Sequence, residues 1–389
     1  MIRRLGLLLD SFLVEVLLYL GIFLLDLRLF YQQLLVPSDM QGHLRLVYDY
    51  VYNGAYVPHP LFHIIAFAGH WITGLPLAFV VPLLLSTLSV LTILLTKRLL
   101  KFYRPGFQLE LVYVLSALAV NCAIAIYVPW YNALPYLGQW SPNIWHSPTM
   151  ILLKPLALLG FCGAVHCTSG PAVGRRHIAW LTSAALALGT LAKPSFIICF
   201  LPALALFLLV FHWKNVRLYR DAFLMFLPSL LLLSRQFIAV YTSHARPSQY
   251  RDHIILSSFA ATRFYAPSAL VSTLLVGAFP ISVFLAIRGR AIRNSPLIAS
   301  WFLVVVGFLQ ASFVSEENKV SHGNFVSGYV ISLFIVFFFS LVEFLSWFAP
   351  GKEPAVSFKW KAVVGVLAAA HLASGFWYYG ELVAGNRIY

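Results

Sequence analysis

The sequence predicts an all-α polytopic membrane protein, and three observations support that prediction. Hydrophobic residues make up 60% of the 389 residues, charged residues make up only 10%, and the mean hydropathy is +0.83. A soluble domain would carry about 25% charged residues. Apolar runs of about 20 residues, the length that crosses a bilayer as a helix, recur along the whole chain. Residues 1–389 are therefore predicted to form a single transmembrane domain.

The apolar runs predict about eleven transmembrane helices. In order, they cover approximately residues 8–32, 76–97, 108–128, 149–167, 178–193, 195–212, 222–242, 268–287, 296–314, 325–347 and 361–380. Short basic segments lie at alternate ends of these runs, at 3–4, 97–104, 175–176, 214–220, 288–293 and 352–361. Cytoplasmic loops carry the excess of Lys and Arg, so the N-terminus is predicted to be cytoplasmic. The net charge of +14 is thus assigned to orientation and to anionic lipid headgroups, and no nucleic-acid partner is expected.

The loops on the opposite, outer side are predicted to carry the function. Three of them are long, at 37–75, 128–148 and 243–267, and a fourth at 315–324 is short but polar. Long loops in compact proteins are usually functional or disordered, and these are too aromatic for disorder. In the first outer loop, residues 59–73 are predicted to form an interfacial helix that precedes the span beginning after Pro76.

Ten cationic residues fall on this outer side or in the outer half of the membrane, where the charge rule does not expect them. They are Arg28, Arg45, Lys154, Lys193, Arg235, Arg246, Arg251, Arg263, Lys319 and Arg387. Arginine suits phosphate oxygens, so a lipid-linked phosphate would account for Arg235, Arg246, Arg251 and Arg263 together. Lys193, beside Pro194 between two spans, is predicted to meet the same phosphate, although a lysine reaching for the membrane surface is the alternative interpretation.

Candidate acid–base residues lie early in the first outer loop. Ser38 followed by Asp39 is typical of a helix start. A helix beginning there places Asp39 and His43 on one face, four residues apart. The Asp39 carboxylate could act as a general base toward a hydroxyl, bind a metal together with His43, or only cap the helix.

Substrate-binding candidates come from the second and fourth outer loops. Trp145 and His146 lie in an aromatic segment that also contains Asn and Gln, and such residues suit sugar rings and their hydroxyl groups; they also suit an ordinary aromatic belt. Glu316 and His322 in the short polar loop are the other candidates. The outer face offers few acidic residues, so an acid–base site there must draw on a small set.

These features resemble the GT-C superfamily of integral-membrane glycosyltransferases, which includes protein O-mannosyltransferases and lipid A aminoarabinose transferases. The resemblance rests on the acidic residue after the first span, on interfacial helices in the first outer loop, and on the hairpin Leu191-Ala192-Lys193-Pro194-Ser195-Phe196. It implies a polyprenyl-phosphate sugar donor, a glycan or lipid acceptor, and Asp39 as the base. The chain departs from the family in having Met40 and Gln41 where a second acidic residue is common, and that departure puts the implied divalent metal, Mg²⁺ or Mn²⁺, in question.

The predicted function is therefore the transfer of a hexosyl or pentosyl group at the outer face of a plasma (inner) membrane. Membrane lipid is expected to surround the protein and to be one of its partners. A polysaccharide polymerase or ligase that uses polyprenyl-pyrophosphate glycans would need the same arginines. A lipid or solute transporter or flippase is the alternative from another class. A transporter predicts polar residues along the middle of several spans, whereas here the polar residues collect in the outer loops.

Overall fold

A computed structural model describes residues 2–107, 109–135, 140–169, 175–242, 253–288, 295–317, 320, 323–348 and 356–386. Within these ranges the chain forms fourteen α-helices, a π-helical turn and a two-stranded ribbon. The helices are α1 (Ile2–Leu35), α2 (Asp39–Tyr52), α3 (Leu61–Thr73), α4 (Leu77–Tyr103), α5 (Glu110–Cys122), α6 (Pro148–Ser169), α7 (Arg175–Ala192), α8 (Ser195–His212), α9 (Val216–Phe237), α10 (Ala260–Tyr265), α11 (Ala269–Ile287), α12 (Ser295–Phe313), α13 (Val326–Ser346) and α14 (Phe358–Ala384). Strand β1 (Ile254–Leu256) pairs antiparallel with β2 (Val314–Glu316), and Ile238–Thr242 forms the π-helical turn.

Each of the eleven predicted spans contains a helix. Eight helices of the described chain, α4, α6, α8, α9, α11, α12, α13 and α14, are long and apolar enough to cross a membrane. Helix α1 covers the predicted span at 8–32, and α7 covers the predicted span at 178–193 except for its last residue, Lys193. The predicted span at 108–128 is helical only as far as Cys122, and residues 123–128 have no helical structure. The all-α polytopic fold class is confirmed.

Helix α13 lies at the centre of the bundle. Most of its residues are buried, and it packs against α8, α11 and α12. In a membrane, helices associate through close packing and small residues rather than through exclusion of water. Gly328 of α13 illustrates this, because a Cβ atom there would lie 2.8 Å from the Ser195 carbonyl oxygen of α8.

One end of the bundle is tied together by ion pairs. Lys97 of α4 contacts Glu15 of α1 at 2.7 Å and Glu110 of α5 at 3.2 Å. At the same end, Arg104 contacts Glu343 of α13 at 3.2 Å. This is the end that the basic segments predict to be cytoplasmic, so some of the cations that orient the chain also join its helices.

The opposite end of the bundle carries the short helices of the first long loop. Helix α3 begins at Leu61, close to the predicted start, and ends at Thr73. Gly74 follows with φ of 69°, a left-handed conformation that glycine adopts without strain, and α4 begins at Leu77. Helices α2 and α3 pack against each other at this end, near the start of α4.

Candidate functional site

The corner between α1 and α2 fixes the position of Asp39. The Ser38 hydroxyl donates to the Gln33 carbonyl at 2.6 Å, and the Gln41 side chain donates to the Leu34 carbonyl at 2.9 Å. These bonds use carbonyls that the end of α1 leaves without helical partners. Helix α2 starts at Asp39, so its carboxylate lies in the first turn, where negative charge is favourable.

Asp39 faces a cavity of about 840 Å³, which is within the size range of small-molecule sites. The wall is built from α2, the segment 140–150, the turn between α7 and α8, α10 and the start of α13. Its lining residues are Ser38, Asp39, Gly42, His43, Leu46, His59, Trp140, Ile144, His146, Ser147, Thr149, Met150, Lys193, Tyr265, Gly323, Asn324, Val326, Ser327 and Val330. Segments separated by hundreds of residues therefore meet around one carboxylate.

The charge of Asp39 acts on several titratable groups in this wall. Burial lowers the pKa of the Lys193 ammonium, and the Asp39 carboxylate partly offsets that effect. Burial likewise lowers the pKa of His146, again against the influence of Asp39. The pKa of Tyr265 is raised, mainly by burial and further by Asp39. Asp39 is thus the negative centre of a cavity that otherwise presents a cation and neutral donors.

Two histidines form a pair behind Asp39. The Nδ1 atom of His43 lies 3.1 Å from Nε2 of His63, which is fully buried in α3. Burial lowers the pKa of each to about 4, and in His43 the neighbouring His63 lowers it further. Both rings are therefore neutral at pH 7, so one donates a hydrogen to the other. This bond orients His43, which also lines the cavity.

Lys193 joins this cavity to a second one of about 680 Å³. His59, Lys193 and Asn324 line both. The second cavity is largely apolar, and its other walls come from α8, α9 and the π-helical turn. Its apolar lining residues include Ile198, Leu233, Phe237, Ile238, Val240, Ile254 and Phe325. An amphipathic ligand could place its apolar part in this second cavity and its polar part at Lys193.

The structure brings together some of the predicted site residues and leaves others apart. Asp39, His43, His146 and Lys193 line the larger cavity. Glu316 lines the apolar cavity, where its carboxylate accepts hydrogen bonds from the Tyr241 hydroxyl and the Asn324 amide, both at 2.5 Å.

Three other predicted residues lie elsewhere. The Trp145 indole is buried against Tyr378 and Tyr379 and does not line the larger cavity. Arg235 and Arg263 are exposed, and neither lines either cavity. Arg246, Arg251 and His322 lie outside the described residues. Lys193 is thus the one cation among the described residues that line these two cavities.

The larger cavity is also lined by four residues for which the sequence pattern predicted no role, namely Trp140, His59, Tyr265 and Asn324. Trp140 has φ of 53°, and a bulky residue seldom adopts this left-handed conformation away from a functional or strained position. Its ring packs edge-on against Tyr265 with 6.2 Å between centroids. The strained backbone is visible only in the folded chain, whereas Asn324 could have been noticed in the polar loop 315–324.

The sequence did not decide whether Asp39 and His43 belong to a metal site. Within the described part of the chain, His, Cys, Asp and Glu side chains form no group of three or more that could hold a metal ion. His59 and His146 line the same cavity as Asp39 and His43, but these side chains do not form such a group.

The fold has a solved counterpart. The chain is similar to the crystal structure of ArnT from Cupriavidus metallidurans in the apo state, with a TM-score of 0.50 and 12% sequence identity. The similarity covers 98% of this chain and 76% of that chain. No protein-family model and no curated protein sequence matches the chain. At this level of identity the likeness concerns the fold alone, and together with the eight apolar helices of the described chain it confirms an integral multi-pass membrane protein with an ArnT-like fold.

Proposed function

We propose that this protein is a membrane glycosyltransferase that moves a sugar from a polyprenyl-phosphate donor to a glycan or lipid acceptor. One observation carries the proposal: a carboxylate and a lysine, Asp39 and Lys193, line one polar cavity, and the lysine also borders an apolar cavity. A lipid-linked sugar has the matching parts, namely an apolar chain, one anionic phosphate and a polar sugar. The ArnT-like fold supports the same class.

In this proposal the lipid chain lies in the apolar cavity and its phosphate lies at Lys193. The sugar extends into the larger cavity, past His59 and Asn324 at the junction. The ammonium of Lys193 stabilises the negative charge that grows on the phosphate as the glycosyl bond breaks, which is the largest demand of such a reaction.

The acceptor hydroxyl is activated by Asp39. The carboxylate takes the acceptor proton while the acceptor oxygen attacks the anomeric carbon from the side opposite the departing phosphate, so the configuration inverts. His43, oriented by His63, and His146 contact hydroxyl groups of the sugar or acceptor from the cavity wall. We also propose that the cavity lies on the outer face of the membrane. The reason is that the basic segments, which are expected to be cytoplasmic, lie at the other end of the bundle.

The proposal is tested by changing Asp39 to Asn, which keeps the shape and removes the base. The purified full-length protein is assayed with polyprenyl-phosphate hexoses and pentoses, and release of polyprenyl phosphate is measured. We expect Asp39→Asn to lower turnover by about 100-fold or more and to leave donor binding nearly unchanged.

The matched control is Asp49→Asn on the same helix. Asp49 accepts a hydrogen bond from Asn53 at 3.0 Å and does not line the cavity. The Asp49→Asn variant should retain parental turnover. Parental turnover in Asp39→Asn would remove this residue from the mechanism. A parent that leaves these donors unused but releases polyprenyl pyrophosphate from polyprenyl-pyrophosphate glycans would favour the polymerase or ligase alternative.

A further inference from the structure

Lys154 is a buried cation that the proposed reaction does not use. It lies six residues after the start of α6, within a candidate membrane span, and is 9% exposed. A charge in a span is costly, so such residues are rare and are usually paired with a polar partner. The Lys154 ammonium donates to Oδ1 of Asn143 at 2.6 Å and lies 5.0 Å from the centroid of the Phe334 ring.

The Asn143 side chain is fully buried and uses both of its donors. Its Nδ2 group donates to the carbonyls of Val120 at 2.8 Å and Ala123 at 2.6 Å, where α5 ends. With Lys154 bonded to Oδ1, each polar atom of the amide has a partner. Without Lys154, that oxygen would lose this donor inside the membrane, which is unfavourable. The lysine therefore fixes the orientation of the amide, and the amide fixes the loop to α5.

The residues around Asn143 form part of the cavity wall. Trp140, Ile144 and His146 line the larger cavity on either side of it along the chain. The segment is also braced internally, since the Ser141 hydroxyl donates to the Asn143 carbonyl at 2.8 Å. Trp140 keeps its left-handed backbone within this braced segment. Asn143 thus attaches to α5 the segment that carries Trp140, Ile144 and His146 in the cavity wall.

We propose that Lys154 is a positioning residue that acts through Asn143 to hold Trp140 and His146 in the cavity wall. An apolar residue at this position would insert into the membrane at a lower free-energy cost than a lysine. A lysine is nevertheless favoured here because a positively charged donor makes a stronger hydrogen bond to Asn143 than a neutral donor would. The consequence for sugar transfer rests on the proposed function, whereas the positioning itself concerns only the cavity.

The test measures the position of the loop directly and needs no substrate. His146→Cys places a thiol in the cavity wall of the full-length chain in detergent, and its rate of reaction with a water-soluble maleimide is recorded. The parent chain, with its four native cysteines, provides the background. Adding Lys154→Met should raise the His146→Cys labelling rate by about tenfold, because the loop is released.

Two controls separate loop position from general stability. Lys361→Met is the matched variant, because Lys361 also donates to one oxygen, the Trp347 carbonyl at 2.7 Å, and also lies 5.0 Å from a phenylalanine ring. It should leave the labelling rate unchanged. A second reporter, Ser327→Cys, lies in the same cavity wall on α13 and should be unaffected by Lys154→Met.

Asn143→Leu provides an independent route to the same result. It should raise the His146→Cys labelling rate as much as Lys154→Met does, and combining the two changes should add little. Unchanged His146→Cys labelling in Lys154→Met, or an equal increase at Ser327→Cys, would overturn the proposal. If neither Lys154→Met nor Asn143→Leu folds, the hydrogen bond between these residues is required for folding, and the positioning proposal is overturned as well. Absence of glycosyl transfer in the parent, with labelling as expected, would contradict only the proposed function.

Discussion

His63 has no exposed surface, and its buried imidazole makes the stability of the protein depend on pH. In an unfolded chain a histidine takes up a proton near pH 6.5. In the folded chain burial lowers the pKa of His63 to about 4. The unfolded state therefore binds more protons between these values, and stability falls as the pH drops below about 6.5.

The expected loss from His63 alone is about 1 kcal/mol at pH 5.5 relative to pH 8. His63→Gln retains a side-chain amide that can bond to His43 but does not titrate in this range. The thermal unfolding midpoint of this variant should therefore change less between pH 8 and pH 5.5 than that of the parent. His177→Gln, at an exposed position, should keep the parental slope. An equal slope in His63→Gln would contradict the assignment.

At the scale of helices, the contact between α5 and α14 depends on a single glycine. A Cβ atom at Gly375 would lie only 1.8 Å from the Cys122 carbonyl oxygen, at the end of α5. Side chains do not tolerate such a separation, so any other residue would push the two helices apart. Gly375→Ala should lower the free energy of unfolding by about 2 kcal/mol or more, measured as a lower thermal midpoint.

Gly380 on the same helix is the matched control. A Cβ atom there would meet nothing within 4 Å. Gly380→Ala should therefore keep the parental midpoint or raise it slightly, because alanine favours helix by about 1 kcal/mol over glycine. Equal effects of the two substitutions would show that helix propensity, rather than the close contact, decides the outcome.

At the scale of the whole molecule, the two cavities meet where three distant segments come together. His59 precedes α3, Lys193 lies between α7 and α8, and Asn324 precedes α13. Lys193 is the cation at this junction, so it should carry most of the affinity for a lipid phosphate. Lys193→Met should weaken binding of polyprenyl phosphate by about tenfold or more, and Lys193→Arg should keep most of the affinity.

Binding is measured with the purified protein and a fluorescent polyprenyl phosphate. Lys214→Met is the control, since Lys214 follows the end of α8 as Lys193 precedes its start. It should bind the lipid like the parent. Parental affinity in Lys193→Met would mean that the phosphate does not lie at the junction of the cavities.

The sequence by itself determined the class of the fold, the approximate spans and the start of α2 at Asp39. These features follow from local properties: the length of an apolar run, the position of basic segments and the residues that begin a helix. The early end of helix α5 could not be predicted in this way, because residues 123–128 are as apolar as a membrane span. The helix ends at Cys122, where the Asn143 side chain donates hydrogen bonds to the carbonyls of Val120 and Ala123.

Only the tertiary structure decided which polar residues meet. Trp145 and His146 are neighbours in sequence, yet the first packs against α14 and the second faces the cavity. Lys154 and Lys193 both precede a proline, yet one holds a loop inside the bundle and the other lies between two cavities. Such differences depend on the packing of residues far apart in the chain, and that packing leaves no pattern in the local sequence.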